Sequence, residues 1–154
     1  MGRRRSLPTS GPLSMAAQIF KMSSKHSQFK LSLKRNTASW QGTWCPSDLS
    51  DTYLIRVVYS FRRRPVVSIL SPKLRLAKGT SRLPHTYANG QLDICVHEPH
   101  EWNSRLLVAD TIMPWVSQWL RFYEYWEQTG SWEGKGTHPE SRSHRSKSLG
   151  QEAA

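Results

Sequence analysis

The residues best suited to chemistry lie together in residues 83–102 of the chain. This stretch contains His85, the pair Asn89-Gly90, Cys95 and Trp102, and the cysteine stands between a short apolar segment and a polar loop. A cysteine in such a position is held on one side and accessible to a partner on the other. Because its thiolate is a nucleophile, the stretch predicts a cysteine that accepts an already activated acyl group.

Acyl exchange on a cysteine requires access for the partner, a donor for the developing oxyanion and room for an incoming amine. The side-chain amide of Asn89 can supply the donor, and His85 can orient the loop by hydrogen bonding to its backbone. The alternative for Cys95 is a small, buried apolar residue at a strand end, which is common for cysteine. Cys45 is better interpreted as a packed core or strand-end residue.

A zinc site is a weaker alternative at the same place. Cys95, His97 and His100, together with His85, carry ligand atoms, but their spacing is short for four ligands on one ion and no second cysteine pair supports it. The sequence also lacks an ATP-binding motif. We therefore expect no metal and no cofactor, and any activation by adenylation has to come from another protein.

Charge is distributed unevenly along the chain, whose formal net charge is +11. Residues 1–85 carry 16 Lys and Arg against 2 Asp and Glu, a charge of +14, while residues 86–154 carry 6 against 9, a charge of −3. A basic nucleic-acid-binding domain is one interpretation, but the basic residues are scattered rather than gathered on one helical face. A basic surface suits an acidic protein partner equally well.

Length and cysteine content favour a single cytoplasmic domain. The 154 residues suit one domain, and two cysteines are too few for a disulfide framework, which favours a reducing compartment. No apolar run approaches the ~20 residues of a membrane span, and the Arg-rich start lacks the apolar stretch of a secretory signal. We expect a disordered basic tail over 1–14, a folded domain over 15–133 and a disordered tail over 134–154.

Hydrophobic periodicity predicts a helix followed by four strands. Met15–His26 has helical spacing, with Ser14 as its N-cap. The apolar period then changes to two, and β-branched and aromatic residues predict strands near 29–34, 40–44, 53–59 and 65–70. Short turns between them, such as the hydrophilic Arg62–Arg64, favour an antiparallel meander. Residues 75–94 are irregular, with at most one short strand near Leu92.

The last predicted element is a helix from about Leu106 to Gln128. Its apolar stripe recurs every three or four residues at Ile112, Val116, Trp119, Tyr123 and Trp126. Asp110 is the predicted N-cap, which places Pro114 in the first turn, and Gly130 is the predicted stop. The order of helix, four strands, cysteine loop and helix indicates an α+β domain with helices on one face of the sheet.

This order resembles the ubiquitin-conjugating (UBC) fold. That family has an N-terminal helix, a four-stranded meander, a loop beginning with His-Pro-Asn, an active cysteine ten residues after that histidine, a tryptophan just beyond, and another helix. Here Cys95 follows His85 by ten residues, and Trp102 follows Cys95 by seven. Residues 53–59 and 64–72 resemble the third and fourth strands with their proline-containing exit.

A closer resemblance is to the compact bacterial branch of that fold. Its members are encoded beside a cyclic-oligonucleotide synthase in type II (short) CBASS antiphage operons. The likeness rests on Leu83-Pro-His85 with Asn89-Gly90, on residues 109–115 and on residues 129–132. It implies a thioester-type link between Cys95 and the C-terminal glycine of the synthase, a conjugation that primes the synthase without a separate ubiquitin-like protein.

The chain departs from the family pattern next to the histidine. The tripeptide is His85-Thr86-Tyr87, so the family asparagine is missing from its usual place and Asn89 is the candidate substitute. With a weaker oxyanion site, we expect either slow turnover or a product that stays attached. The alternative from another functional class is a catalytically silent UBC-fold binding module in which Cys95 is buried.

Overall fold

The computed structural model describes residues 11–87 and 93–134. Two helices and five strands follow one another along the chain, and their bounds are α1 (Met15–Lys25), β1 (Lys30–Lys34), β2 (Thr37–Trp44), β3 (Tyr53–Ser60), β4 (Val66–Ser71), β5 (Asp93–Ile94) and α2 (Ile112–Thr129). Most of the two predicted tails lies outside the described residues, as does Asn89. Leu13, just before α1, donates its backbone N–H to the carbonyl of Ser104 at 2.8 Å.

Helix α1 begins and ends where its caps are. The Ser14 hydroxyl accepts a hydrogen bond from the N–H of Ala17 at 3.1 Å, as predicted for an N-cap. At the other end, the N–H of His26 closes the last turn on the carbonyl of Met22 at 2.8 Å. The helix buries Gln18 and Met22 completely, so only a narrow stripe of it belongs to the core.

The sheet is antiparallel throughout and has the order β1-β2-β3-β4-β5. The predicted four-stranded meander is confirmed, and the short β5 extends it by pairing Ile94 with Val67 on β4. Buried and half-buried residues alternate along β3, because successive side chains of a strand point to opposite faces. One face of the sheet therefore supplies large core residues, among them Trp40, Ile55, Val57 and Tyr59.

Helix α2 begins later than its apolar pattern indicated, at Ile112 rather than near Leu106. The prediction of Asp110 as N-cap is wrong: Thr111 holds the cap position, and the Asp110 carboxylate pairs with Lys25 of α1 instead. The Thr111 hydroxyl donates to the carbonyl of Leu107 at 2.7 Å, so no side chain caps the helix. The predicted end at Gly130 is confirmed.

The core lies between the sheet and α2, whose predicted stripe is buried together with the sheet residues in one cluster. Polar contacts hold the helix in register over β2 and β3. The indole of Trp44 donates to the Ser117 hydroxyl at 2.8 Å, and the Tyr53 hydroxyl donates to Glu124 at 2.8 Å. In the described part of the chain, neither helix combines the length and apolarity needed to cross a bilayer.

Candidate active site

Cys95 lies one residue beyond β5, where the sheet ends and a loop begins. Its backbone N–H donates to the carbonyl of His85 at 2.8 Å, and its thiol donates to the carbonyl of His97 at 3.3 Å. The side chain is half-buried rather than sealed in the core. The backbone is thus held on one side while the sulfur remains accessible on the other.

His85 contacts Cys95 through its main chain. Its carbonyl accepts both the Cys95 N–H and the indole N–H of Trp119, the latter at 3.2 Å. Its φ of 50° places it in the left-handed region, which non-glycine residues seldom adopt. The imidazole is buried and packs against the indole of Trp132 with ring centroids 5.0 Å apart. The His85 backbone is therefore strained, and its carbonyl, which accepts two hydrogen bonds, fixes the start of the cysteine loop.

A groove of about 710 Å³ runs past the thiol. Aromatic side chains form much of its wall, and three carboxylates stand along it, at Glu98, Glu101 and Glu133. The other lining residues include His85, Cys95, His97, Trp115, Trp119, Phe122 and Trp132. Apolar walls suit an extended peptide tail, and the carboxylates favour a cationic group such as an amine. The groove gives a partner a route to Cys95.

Tyr87 is a site residue that the sequence interpretation missed. Its N–H donates to the carbonyl of Asp93 at 2.9 Å, which places it beside the cysteine segment. Burial of its hydroxyl, followed by a hydrogen bond to the Cys95 side chain, raises the pKa of Tyr87 to about 12, and nearby Arg64 acts in the opposite direction. Side chains alternate along the two paired segments around Thr86 and Ile94. That alternation was the signal that could have placed Tyr87 on the same side as Cys95.

The other histidine close to the thiol is part of the loop structure. His97 is buried, its Nδ1 lies 2.6 Å from the carbonyl of Glu98, and its ring packs against Trp115 at 5.6 Å. Within residues 11–87 and 93–134, no three His, Cys, Asp or Glu side chains gather in a way that could hold a metal ion.

Cys45 is exposed, immediately after β2. The prediction of its position at a strand end is confirmed, but its packing in the core was wrong. Its thiol donates to the carbonyl of Ser47 at 2.9 Å inside the turn that follows. A short polar turn with no apolar cover cannot bury the sulfur, so Cys45 is a second accessible thiol that lies outside the groove's lining.

Trp102, seven residues after Cys95, anchors the far end of the loop. Its indole is buried, meets the ring of Tyr59 edge-on at 5.6 Å and donates to the Thr111 hydroxyl at 3.2 Å. The loop that carries the thiol is therefore tied to β3 at one point and to the start of α2 at another.

The comparison with known proteins agrees with this geometry. No curated protein sequence matches the chain. The model of the type II CBASS E2 protein family matches residues 18–139, which include most of α1, all five strands, the cysteine loop and α2. Because this match spans well over half of the sequence, the chain belongs to the family of type II CBASS E2 proteins.

Proposed function

We propose that the protein is a cysteine thioester carrier that conjugates the cyclic-oligonucleotide synthase of its CBASS system and thereby primes it. Cys95 accepts the acyl group of the synthase's C-terminal glycine and passes it to an amine. The observation that carries this proposal is the half-buried Cys95 thiol beside a groove, with its backbone held by the His85 carbonyl.

Each step of this reaction balances without a cofactor bound to the chain. The Cys95 thiolate attacks an activated glycyl carbonyl, the activating group leaves, and a C–S bond forms. An amine then attacks the same carbonyl, a C–N bond forms, and the sulfur departs as thiolate while the amine loses a proton to solvent. Since the chain supplies no adenylating motif, the activated carbonyl comes from elsewhere in the system.

The groove fits the two substrates of such a transfer. A tail ending in glycine has no side chain at its last residue, so its carbonyl can closely approach a half-buried sulfur beside the groove. The aromatic wall can pack against the tail, and Glu98, Glu101 and Glu133 attract an incoming ammonium group. A reducing, cytoplasmic location would keep the thiol free for this chemistry.

In this proposal His85 and Asn89 have separate roles. The His85 carbonyl positions the Cys95 backbone at 2.8 Å, and its ring packs against Trp132 on the groove wall. Asn89, outside the described residues, is the candidate from the sequence for an amide donor to the oxyanion.

The decisive experiment is intact mass spectrometry of the protein co-expressed with the synthase encoded beside it. We expect a mass equal to the sum of the two chains less one water, removed by hydroxylamine but stable to a phosphine reductant. Cys95→Ser should eliminate this hydroxylamine-sensitive species, because an oxygen ester is far less reactive. Cys45→Ser, the matched control at the other accessible thiol, should retain it.

Two outcomes would contradict the proposal. A hydroxylamine-sensitive adduct that persists in Cys95→Ser would move the chemistry to another residue. A folded wild-type protein that binds the synthase but forms no adduct would indicate a catalytically silent binding module. Slow alkylation of native Cys95 would support that alternative.

A further inference from the structure

We propose that Tyr87 is a further catalytic residue, whose hydroxyl donates a hydrogen bond to the Cys95 sulfur and to the oxyanion that forms beside it, with Arg64 polarising that hydroxyl. This inference rests on the proposed thioester function. It assigns the donor role to a residue at the position where the resembled family has an asparagine.

Backbone pairing places Tyr87 and Cys95 on one side of the sheet edge. Thr86 and Ile94 form an antiparallel bridge, and both are buried. Their neighbours point the opposite way, so His85 and Cys95 are directly opposed and Tyr87 is the diagonal neighbour of Cys95. A diagonal separation is within reach of a long aromatic side chain, so the phenol can reach the sulfur.

The start of β4 brings Arg64 to the same place. The register pairs Val67 with Ile94 and Ser68 with Asp93, so the residue opposite Cys95 would be Val66, and Arg64 comes just before it. The Ser68 hydroxyl donates to the Asp93 carboxylate at 2.6 Å, which confirms that alternate residues of the two strands share this side. By this register, Arg64, Tyr87 and Cys95 lie on the same side of the sheet edge.

The pKa of the Tyr87 hydroxyl responds to both neighbours, since burial and then Cys95 raise it and Arg64 lowers it. The Cys95 thiol itself donates to the His97 carbonyl at 3.3 Å. In the proposal, the Arg64 guanidinium donates to the phenol oxygen and the phenol donates to the sulfur. A cationic donor at the phenol oxygen makes the phenol a better donor in turn. Because the pKa of Tyr87 is raised to about 12, the hydroxyl keeps its proton at neutral pH and remains a donor.

In the transfer step this hydroxyl is next to the charge that develops. When an amine adds to the glycyl carbonyl on Cys95, the carbonyl oxygen becomes an oxyanion one carbon away from the sulfur. A phenol O–H near the sulfur can turn to that oxygen, and it can turn back to the thiolate when the C–S bond breaks. No proton needs to leave Tyr87 in either step, so the hydroxyl acts as a hydrogen-bond donor and not as an acid.

The test loads Cys95 in the full chain, in a Cys45→Ser background, with a short peptide that ends in a glycyl thioester, and then adds hydroxylamine as the amine. Loading and discharge are measured separately. We expect Tyr87→Phe to load normally and to discharge about 10²-fold more slowly, the usual effect of losing one oxyanion donor. Tyr125→Phe, a matched change at an exposed tyrosine of α2, should discharge at the wild-type rate.

Arg64→Gln is the second variant. Since Arg64 is exposed, this substitution tests whether Arg64 polarises the Tyr87 hydroxyl without disturbing the core. We expect about a tenfold slower discharge, the equivalent of one weakened charge-assisted hydrogen bond. Asn89→Ala provides the comparison: a larger effect there than in Tyr87→Phe would return the donor role to Asn89 and overturn the inference.

A third measurement separates this inference from the proposed function. If wild-type Cys95 cannot be loaded by the glycyl thioester, the carrier function fails. The Tyr87 contact is then judged by the rate at which iodoacetamide alkylates Cys95 at neutral pH. Slower alkylation in Tyr87→Phe supports the hydrogen bond to sulfur, and equal rates in both proteins reject it. If wild type and Tyr87→Phe load normally and discharge at equal rates, the catalytic role of Tyr87 is rejected and the carrier function stands.

Discussion

The residues of the candidate site differ in how well the sequence predicted their positions. Cys95 follows a short strand, as its neighbours predicted, because Ile94 is buried where β5 joins the sheet and the polar residues after the cysteine form a loop. Tyr87 was missed, since the spacing argument looked for an amide and not for a phenol. The role of the His85 carbonyl also depends on a φ of 50°, which no residue pattern of this kind predicts.

Gln18 was missed for a related reason: it is a polar residue inside the core. Its side-chain amide N–H donates to the carbonyl of Leu106 at 2.8 Å, and its side-chain carbonyl accepts from the N–H of Val108 at 2.9 Å. It therefore satisfies two backbone groups of the segment that leads from the cysteine loop to α2.

We predict that Gln18→Ala lowers the free energy of unfolding by about 3 kcal/mol, because two buried backbone groups lose their partners. Urea unfolding followed by circular dichroism measures this value. Phe20→Ala is the matched control in the same helix, since Phe20 is 74% exposed and should change stability little. Equal effects of the two substitutions would show that Gln18 does not fix the segment.

Among the elements, the strands were predicted more accurately than the start of α2. The alternation along β2 and β3 reflects burial of one sheet face and is visible in the sequence residue by residue, whereas β4 is buried at three consecutive residues. Helix starts depend on which carboxylate or hydroxyl is available, and Lys25 of α1 takes the Asp110 carboxylate, whose pKa the resulting hydrogen bond lowers. A contact between residues 85 positions apart leaves no local sequence signal.

The end of α2 was predicted correctly because its cause is local. Gly130 has a φ of 75°, and its N–H donates to the carbonyl of Trp126 at 2.7 Å. We predict that Gly130→Ala costs about 1–2 kcal/mol of unfolding free energy, since a Cβ is strained in the left-handed region. Thermal unfolding should show Gly11→Ala, a glycine with open space around it, to be neutral by comparison.

On the scale of the whole molecule, acidic and basic side chains are distributed unevenly. The chain is strongly basic, yet the groove beside Cys95 carries Glu98, Glu101 and Glu133. The excess of acidic residues after residue 85 was visible in the sequence, but their gathering in one groove depends on the fold. The acidic side chains of the groove can attract an amine toward the thiol. The basic outer surface can attract an acidic partner.

Buried phenols give the molecule an expected response to alkaline pH. Burial and hydrogen bonding to Glu124 raise the pKa of Tyr53, and burial also raises that of Tyr123. Unfolded tyrosine titrates near ~10, so above that pH the unfolded chain loses protons that the folded chain retains. Stability is therefore full below about pH 10 and falls as the pH rises toward the folded values.

We predict that Tyr53→Phe makes this alkaline loss of stability shallower, because one phenol with a raised pKa is removed. The free energy of unfolding from urea titrations at several pH values between neutral and about pH 11 gives the slope. Tyr125→Phe, at an exposed position, should keep the wild-type slope. A slope unchanged in Tyr53→Phe would exclude Tyr53 as a source of the effect.

The position of Trp132 after the end of α2 has one further consequence. Its indole packs on the His85 ring at 5.0 Å and on Trp119 at 5.5 Å, and both of these residues take part in the hydrogen bonds at the His85 carbonyl. A peptide that presses on this indole also presses on the residue that aligns the sulfur. Under the proposed function, filling of the groove and the position of the Cys95 backbone would therefore be linked through Trp132 and His85.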